Sequence, residues 1–452
     1  MNKNTLNRHE IPLSYNLPVF DFFNWKRIKL KSGINLLMIE DNTQPLVTMK
    51  VLIKRGVALE KLPGVANLTA KMLTKGTKKM SAKQIAGEYE HYGISFSSTG
   101  RWDDTYIQFI SLAEHYNKGA SILFDCLLNS IFPEKETEKL KTQQISSIMQ
   151  NWFDPSFIAR AIFSSTYFGD HPYGRTISGL SDDVEAINSE LLINWHKELL
   201  NSSEIFIVLA GNFNEKDATS LIESELQGIS FNRITDTFID LPKVHTDQPV
   251  AIIEKVGAQQ TSLRLGKPSI NRENPDFPLY QLANTIFGGY FKSRLNNLIR
   301  EKLGYTYGIS SANDTRLYGN NLVIGADLNT KSTKDAIEKI LEQLGLFSSE
   351  KITAEEHSTA IQYITGAFVR MLETPQQKAG ILAGAELFSL PDNFYQSFLD
   401  RIREATIEEV FEVQQKYFKP ENIVIACCGD MAYLQNELKD IGNIRIVSNP
   451  EI

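Results

Sequence analysis

The chain has 452 residues, 42% of them hydrophobic and 22% charged; it exceeds the size at which one hydrophobic core stops growing, so two domains are expected and general disorder is excluded. A formal net charge of -7, from 54 acidic and 47 basic residues with no basic block, argues against a dedicated nucleic-acid surface. Three cysteines, Cys126, Cys427 and Cys428, are too few for a disulfide framework or a cysteine-based zinc site and read as buried thiols.

The opening MNKNTLNRHEIPLSYN holds no apolar run of signal-peptide length, and nowhere do about 18 apolar residues follow one another, so a cytoplasmic protein without membrane contact is expected. RIKLKSGINLLMIE, VTMKVLIKRG and TYIQFISLA read as strands of a first half. Between the last two lies GVANLTAKMLTKGT, Gly64 to Thr77, a helix with a core stripe at Val65, Leu68, Met72 and Leu73 that places Asn67, Ala70, Lys71 and Thr74 on another face. NKGASILFDCLLNSIFPEKETEKLKTQQISSIM reads as two helices around a Pro-marked break. SELLINWHKELL and SEIFIVLAGN then read as a helix and a buried strand closed by a glycine turn.

Polar and proline residues interrupt the pattern in FNRITDTFIDLPKVHTDQP, residues 231 to 249, where a seam between domains 1–235 and 236–452 is expected. Beyond it VAIIEKV, TSLRLGK and NLVIGADLN read as strands, and STKDAIEKILEQLGLFSSEKITAEEHSTAIQYI as a second broken pair of helices. IEEVFEVQQKYF and ENIVIACCGD repeat the earlier helix and strand, with Gly211 and Gly429 standing 218 positions apart. Two related halves follow, and an α+β fold: two homologous domains, each a mainly antiparallel sheet with helices on one face, related by pseudo-two-fold symmetry.

The seven histidines, His9, His91, His115, His171, His196, His245 and His357, include no pair at the four-residue spacing that would put two rings on one helix face for zinc. No G-x-S-x-G elbow, Walker loop or strand-linked G-x-G-x-x-G occurs either, so the common nucleophile and nucleotide chemistries have no residues to carry them.

GVANLTAKMLTKGT nevertheless resembles a segment of the pitrilysin/insulinase-like zinc metallopeptidases, the family of the mitochondrial processing peptidase, whose zinc helix H-x-x-E-H stands in a frame like G-x-A-H-F-L-E-H-M-x-F-K-G-T. The frame matches while the chemistry is gone. Asn67 stands at the first zinc histidine, Ala70 at the glutamate that works on water, and Lys71 at the second histidine. In active relatives a glutamate about 76 residues further on completes the site; here that position is Ser147, ahead of Asp154-Pro155. HPYGRTISGL, His171 to Leu180, is similar to another family segment, so the resemblance runs along nearly the whole chain.

In the second half FGGYFKSRLNNLIREKLGYTYGISSAND looks like the family's Gly-rich turn and R-x6-Y element, with Arg300 and Tyr307 at those positions and Tyr305 as a competing tyrosine. The resemblance implies that Arg300 and Tyr307 hold substrate and the oxygen that turns negative in peptide hydrolysis, across a cavity from a zinc helix that this chain lacks. It further implies no metal or cofactor in this chain, a homologous zinc-bearing partner subunit, unstructured peptides as substrate, and no activity alone. A non-catalytic scaffold, a peptide-binding homodimer and, last, a peptidase with a displaced metal site are the rival readings.

Overall fold

A computed structural model describes residues 22–202, 204–229, 239–242 and 249–450. The 235/236 boundary and most of the expected seam at 231–249 lie outside the described residues, as do His9 and His245.

The first half builds one six-stranded sheet from β1 (Lys26–Lys29), β2 (Asn35–Glu40), β3 (Leu46–Ile53), β4 (Ser95–Gly100), β5 (Thr105–Leu112) and β6 (Ile205–Gly211). Its strand order is β1-β2-β6-β3-β5-β4. The second half builds another from β7 (Pro249–Glu254), β8 (Gln260–Pro268), β9 (Thr306–Thr315), β10 (Asn320–Asn329), β11 (Val424–Gly429) and β12 (Asn443–Ile446), in the order β12-β7-β11-β8-β10-β9. Five strands of each sheet correspond one to one, including a single parallel pair at the matching place, β2 with β6 and β7 with β11. Only the outer strand beside that pair differs: β1 joins β2 as an antiparallel hairpin, whereas β12 runs parallel to β7. The two expected pairs of broken helices appear as Tyr116–Asn129 with Glu134–Asn151, and Thr333–Ser349 with Ala354–Arg370.

Helices cover both faces of each sheet, which goes beyond the single covered face expected from the pattern. Val47, Met49, Val51, Phe109, Ile207 and Leu209 face the first half's own helices. Their neighbours Leu37, Ile39, Leu52, Phe206, Val208 and Ala210 face the other way, onto Ala379, Leu382, Ala383 and Leu387 of the second-half helix Pro375–Leu387. The exchange is reciprocal: the first-half helix Pro155–Phe168 lies on β7, β8 and β11, with Ile158, Ala159, Ile162 and Phe163 in one cluster with Ala251, Ile253, Val424, Ala426 and Cys428. Gly266 makes room for it, since a Cβ there would stand 2.4 Å from the Phe163 ring. Every residue of β6 and β11 is buried, and burial on two faces is why both read as unbroken apolar runs rather than alternating ones.

Polar contacts tie the halves together. Arg27 pairs with Glu386 at 2.7 Å and Asp392 at 2.9 Å, and Arg264 donates to Ser156 Oγ at 2.6 Å. The turn from β9 to β10 docks into an aromatic box of the first half, where the Arg316 guanidinium lies 4.5 Å from the Trp102 ring, 4.8 Å from Tyr173 and 5.2 Å from Phe168. Beneath it the Asp103 carboxylate accepts from the Tyr173 hydroxyl and, at 3.1 Å, from the Leu317 N–H. Tyr173 Oη in turn accepts from the Tyr318 N–H at 3.1 Å.

Candidate functional site

Gly64, at a left-handed φ of 92°, turns the chain into the helix Val65–Met72. The Glu60 carboxylate closes its first turn, accepting from Gly64 N–H at 2.9 Å and Ala66 N–H at 2.7 Å. Burial pushes the Glu60 carboxyl up to about 8, against the pull of those two hydrogen bonds. The helix is enclosed on almost every side, because Gly100 of β4 lets the Ala66 backbone approach to within 2.9 Å of where a Cβ would stand.

Asn67 is therefore buried rather than presented to a cavity, and its Nδ2 donates to Gly100 O at 3.5 Å. Ala70 is fully buried. Lys71 reaches the surface, but its Nζ donates to Gln144 Oε1 at 2.9 Å, and Gln144 Nε2 donates onward to Ser178 O at 2.9 Å. Burial of the ammonium lowers its pKa. Ser147 lies one turn along the same helix, Glu134–Asn151, exposed and with its hydroxyl turned back to Gln143 O at 2.9 Å. The structure thus brings Lys71 to Gln144 and shows no contact between Lys71 and Ser147.

Zinc needs imidazole, carboxylate or thiolate donors. An amide engaged with a strand, a methyl group and an ammonium do not fit it. Among the described residues no three His, Cys, Asp or Glu side chains gather as a metal site. Cys126, Cys427 and Cys428 are buried, with burial pushing each thiol up to about 12, so none offers a thiolate.

The second half presents its residues differently. Two π-helical segments, Thr285–Gly289 and Asn296–Lys302, flank the turn that follows the Gly pair; such widened turns are frequent at functional sites. Gly304, with φ 66°, ends the second segment. Arg300 sits near that end, its guanidinium 4.3 Å from the exposed Phe291 ring and 2.5 Å from the Glu301 carboxylate.

Beyond the glycine the chain enters β9, the edge of the second sheet. Thr306 pairs with Leu328 and Ile309 with Ala326, so Tyr307 and Gly308 together oppose Asp327 alone. That is a β-bulge, a device that re-aims a side chain, and Tyr307 is 92% exposed. Tyr305 is instead half-buried, its hydroxyl donating to Asp335 at 2.8 Å. Gln144, Phe291 and the buried Asn296 were not singled out by sequence reasoning; Phe291 and Asn296 lie inside the R-x6-Y segment without being among its marked residues, and only tertiary contacts reveal all three.

The first region lies beside edge strand β4, and the second lies on β9, the strand that corresponds to β4 in the second sheet. Among the described residues no helix is long and apolar enough to cross a membrane.

Comparison with known proteins finds one family along most of the chain, its two profiles meeting inside the first half, ahead of β6. Residues 36–180 match the family profile described as Insulinase (Peptidase family M16), and residues 186–364 the profile described as Peptidase M16 inactive domain. A Rickettsia bellii protein named "Uncharacterized zinc protease" is 29% identical over 337 residues, 71% of this chain and 79% of its own. A Helicobacter pylori protein named "Non-peptidase homolog YmxG" is 23% identical over 354 residues, 77% of this chain and 80% of its own. The crystal structure of a peptidase M16 inactive domain from Pseudomonas fluorescens shares the fold, with a TM-score of 0.85 at 22% identity over 90% of this chain and 98% of that one. Two profiles of one family, laid end to end along a chain that folds as two matching α+β halves, show that it belongs to the insulinase-like peptidases of family M16.

Proposed function

We propose that this chain is the subunit without zinc in a two-chain metallopeptidase. Residues 1–235 keep the peptidase-like fold with a degenerate zinc motif, and residues 236–452 supply the Arg300/Tyr307 pair to a homologous partner that carries the metal. The carrying observation is the contrast between the halves: Asn67, Ala70 and Lys71 are enclosed or tied to protein groups, while Tyr307 stands 92% exposed on a bulged edge strand and Arg300, on the helical segment before it, is held against Phe291.

The chemistry follows from charge. Attack on a peptide carbonyl places negative charge on its oxygen, and a tyrosine hydroxyl or guanidinium aimed there binds more strongly as that charge develops. Zinc in the partner supplies hydroxide near neutral pH when bound. This chain binds the unstructured peptide, orients its carbonyl and closes the chamber around it.

The test is to assay this chain and a zinc-bearing homologue from the same organism, separately and mixed, on denatured, alkylated casein with and without chelator. Only the mixture should cleave, and Arg300→Ala or Tyr307→Phe should slow it on the order of 100- to 1000-fold. Cleavage by this chain alone that a chelator stops sinks the reading, as does a mixture indifferent to both substitutions. The name of the Helicobacter relative favours a second reading, a scaffold or peptide-binding homodimer without turnover. A self-associating chain that binds casein while every mixture stays inactive would establish it.

A further inference from the structure

Asn296 begins the π-helical segment that carries Arg300, and only 6% of it is exposed. Its amide is aimed at the outer edge of β9. Nδ2 donates to Ile309 O at 2.7 Å, and Oδ1 accepts from the Ile309 N–H at 3.4 Å. The same Nδ2 lies 3.3 Å from Tyr290 O and 3.4 Å from Ser293 Oγ. One side chain therefore touches three segments: the turn that holds Phe291, the helix that holds Arg300, and the strand that holds Tyr307.

The placement matters because among the described residues β9 has no neighbouring strand on this side, and the bulge at Tyr307 and Gly308 interrupts the ladder on the other. An edge strand with a local break is free to slide or twist unless something grips its outward peptide groups. A primary amide carries a donor and an acceptor side by side, the same pair a neighbouring peptide would offer. At Ile309, just past the bulge, Asn296 supplies both. Asn284 does part of the same work further along, its Nδ2 donating to Ser311 O at 3.3 Å and its Oδ1 accepting from Ser311 Oγ at 2.6 Å.

We propose that Asn296 is a positioning residue that fixes Arg300 and Tyr307 relative to one another by standing in for the missing strand beside Ile309. The proposal rests on the reading of Arg300 and Tyr307 as the substrate-binding pair. A buried asparagine with a purely structural role would change stability and leave the pair's contribution to turnover intact; a positioning residue changes that contribution itself.

Two measurements separate these cases. In the chain alone, hydrogen–deuterium exchange at the Ile309 amide should rise at least tenfold in Asn296→Leu while β8, β10 and β11 keep their protection. In the mixture with the zinc-bearing homologue, Asn296→Leu should lower kcat on casein by on the order of 100-fold with KM changed much less. It should add little on top of Arg300→Ala with Tyr307→Phe, because the groups it positions are already gone. Asn296→Asp, close in shape, keeps an acceptor for the Ile309 N–H but at neutral pH offers no donor; it should fold and fall between parent and Asn296→Leu in both measurements. Asn296→Gln restores both groups one methylene away and should recover part of kcat.

Unchanged exchange at Ile309 in both Asn296→Leu and Asn296→Asp overturns the proposal whatever the enzymology. So does an equal loss of kcat from Asn296→Asp with and without Arg300 and Tyr307. If Arg300→Ala and Tyr307→Phe leave the mixture unaffected while exchange at Ile309 rises, the functional reading fails and Asn296 remains only a clamp on the strand.

Discussion

Asn67 and Asn284 stand at matching places, each on the helix before its sheet's edge strand, and each donates its amide to a carbonyl of that strand, at 3.5 Å and 3.3 Å. Asn67 is thus a fastening of the kind the other half uses. Lys71 likewise engages a protein group, its ammonium donating to Gln144. The zinc content of the purified chain, measured after dialysis against zinc, should accordingly be the same for the parent and for Lys71→Ala. Glu60 gives a second outcome at this scale. Its carboxyl titrates at about 8 in the folded chain against an ordinary value of 4.5, so the folded state holds the proton more tightly than the unfolded one. The stabilisation this gives is complete below pH 4.5 and is lost as pH rises through 8. Thermal midpoints should therefore show the parent losing ground to Glu60→Gln between pH 5 and 9. The helix that carries positions 67, 70 and 71 was legible in the sequence, its stripe of Val65, Leu68, Met72 and Leu73 being buried as expected. That Lys71 meets Gln144 was not, because helix spacing alone cannot say which turn of Glu134–Asn151 a long side chain reaches.

Among the elements, those rich in apolar residues were the readable ones: β2, β3, β5, β6 and their second-half equivalents lie within the stretches marked as strands to within one residue at either end. The edge strands β4, SFSSTG, and β9, TYGISSANDT, which among the described residues have no partner strand on one side, carry polar and small residues and so give no alternating signal. The exchanged helix Pro375–Leu387 is obscure for the opposite reason. Its run GILAGAEL is apolar on most sides, so no narrow stripe tells which sheet it covers. Its destination makes a test possible. Leu382 is 3% exposed and packs on the first sheet, so Leu382→Ala should cost about 2–5 kcal/mol in denaturant unfolding. The loss of protection, followed by hydrogen exchange, should include β2 and β6, although the substitution lies in the second half.

For the molecule as a whole, the two halves depend on each other. Asp103 lies at the centre of the contact between the first half and the β9–β10 turn, its carboxyl raised to about 6 by burial, against the hydrogen bonds from Tyr173 and Leu317 and the charge of Arg316. Asp103→Ala leaves the Tyr173 hydroxyl and the Leu317 N–H without their acceptor, and should cost about 2–6 kcal/mol in denaturant unfolding at the roughly 1–3 kcal/mol typical of each unsatisfied buried group. Residues 1–240 and 241–452, produced as separate polypeptides, should each be insoluble or aggregated alone and should yield a stable pair when produced together, as read by co-purification. The doubling of the chain was visible in its glycine spacing; the trading of helices was not, because a repeat fixes what each half contains and says nothing about which half receives it.

That trade has a consequence for synthesis. The ribosome completes β6 long before it reaches residues 375–387, and until then Leu37, Ile39, Leu52, Phe206, Val208 and Ala210 lack the helix that covers them and have only Phe23, Trp25 and Tyr106 of their own half packed beside them. A nascent first half therefore emerges as a finished sheet with one bare greasy face, a client for whatever chaperone waits at the exit tunnel, and it becomes a stable body only when the later helix arrives to close it.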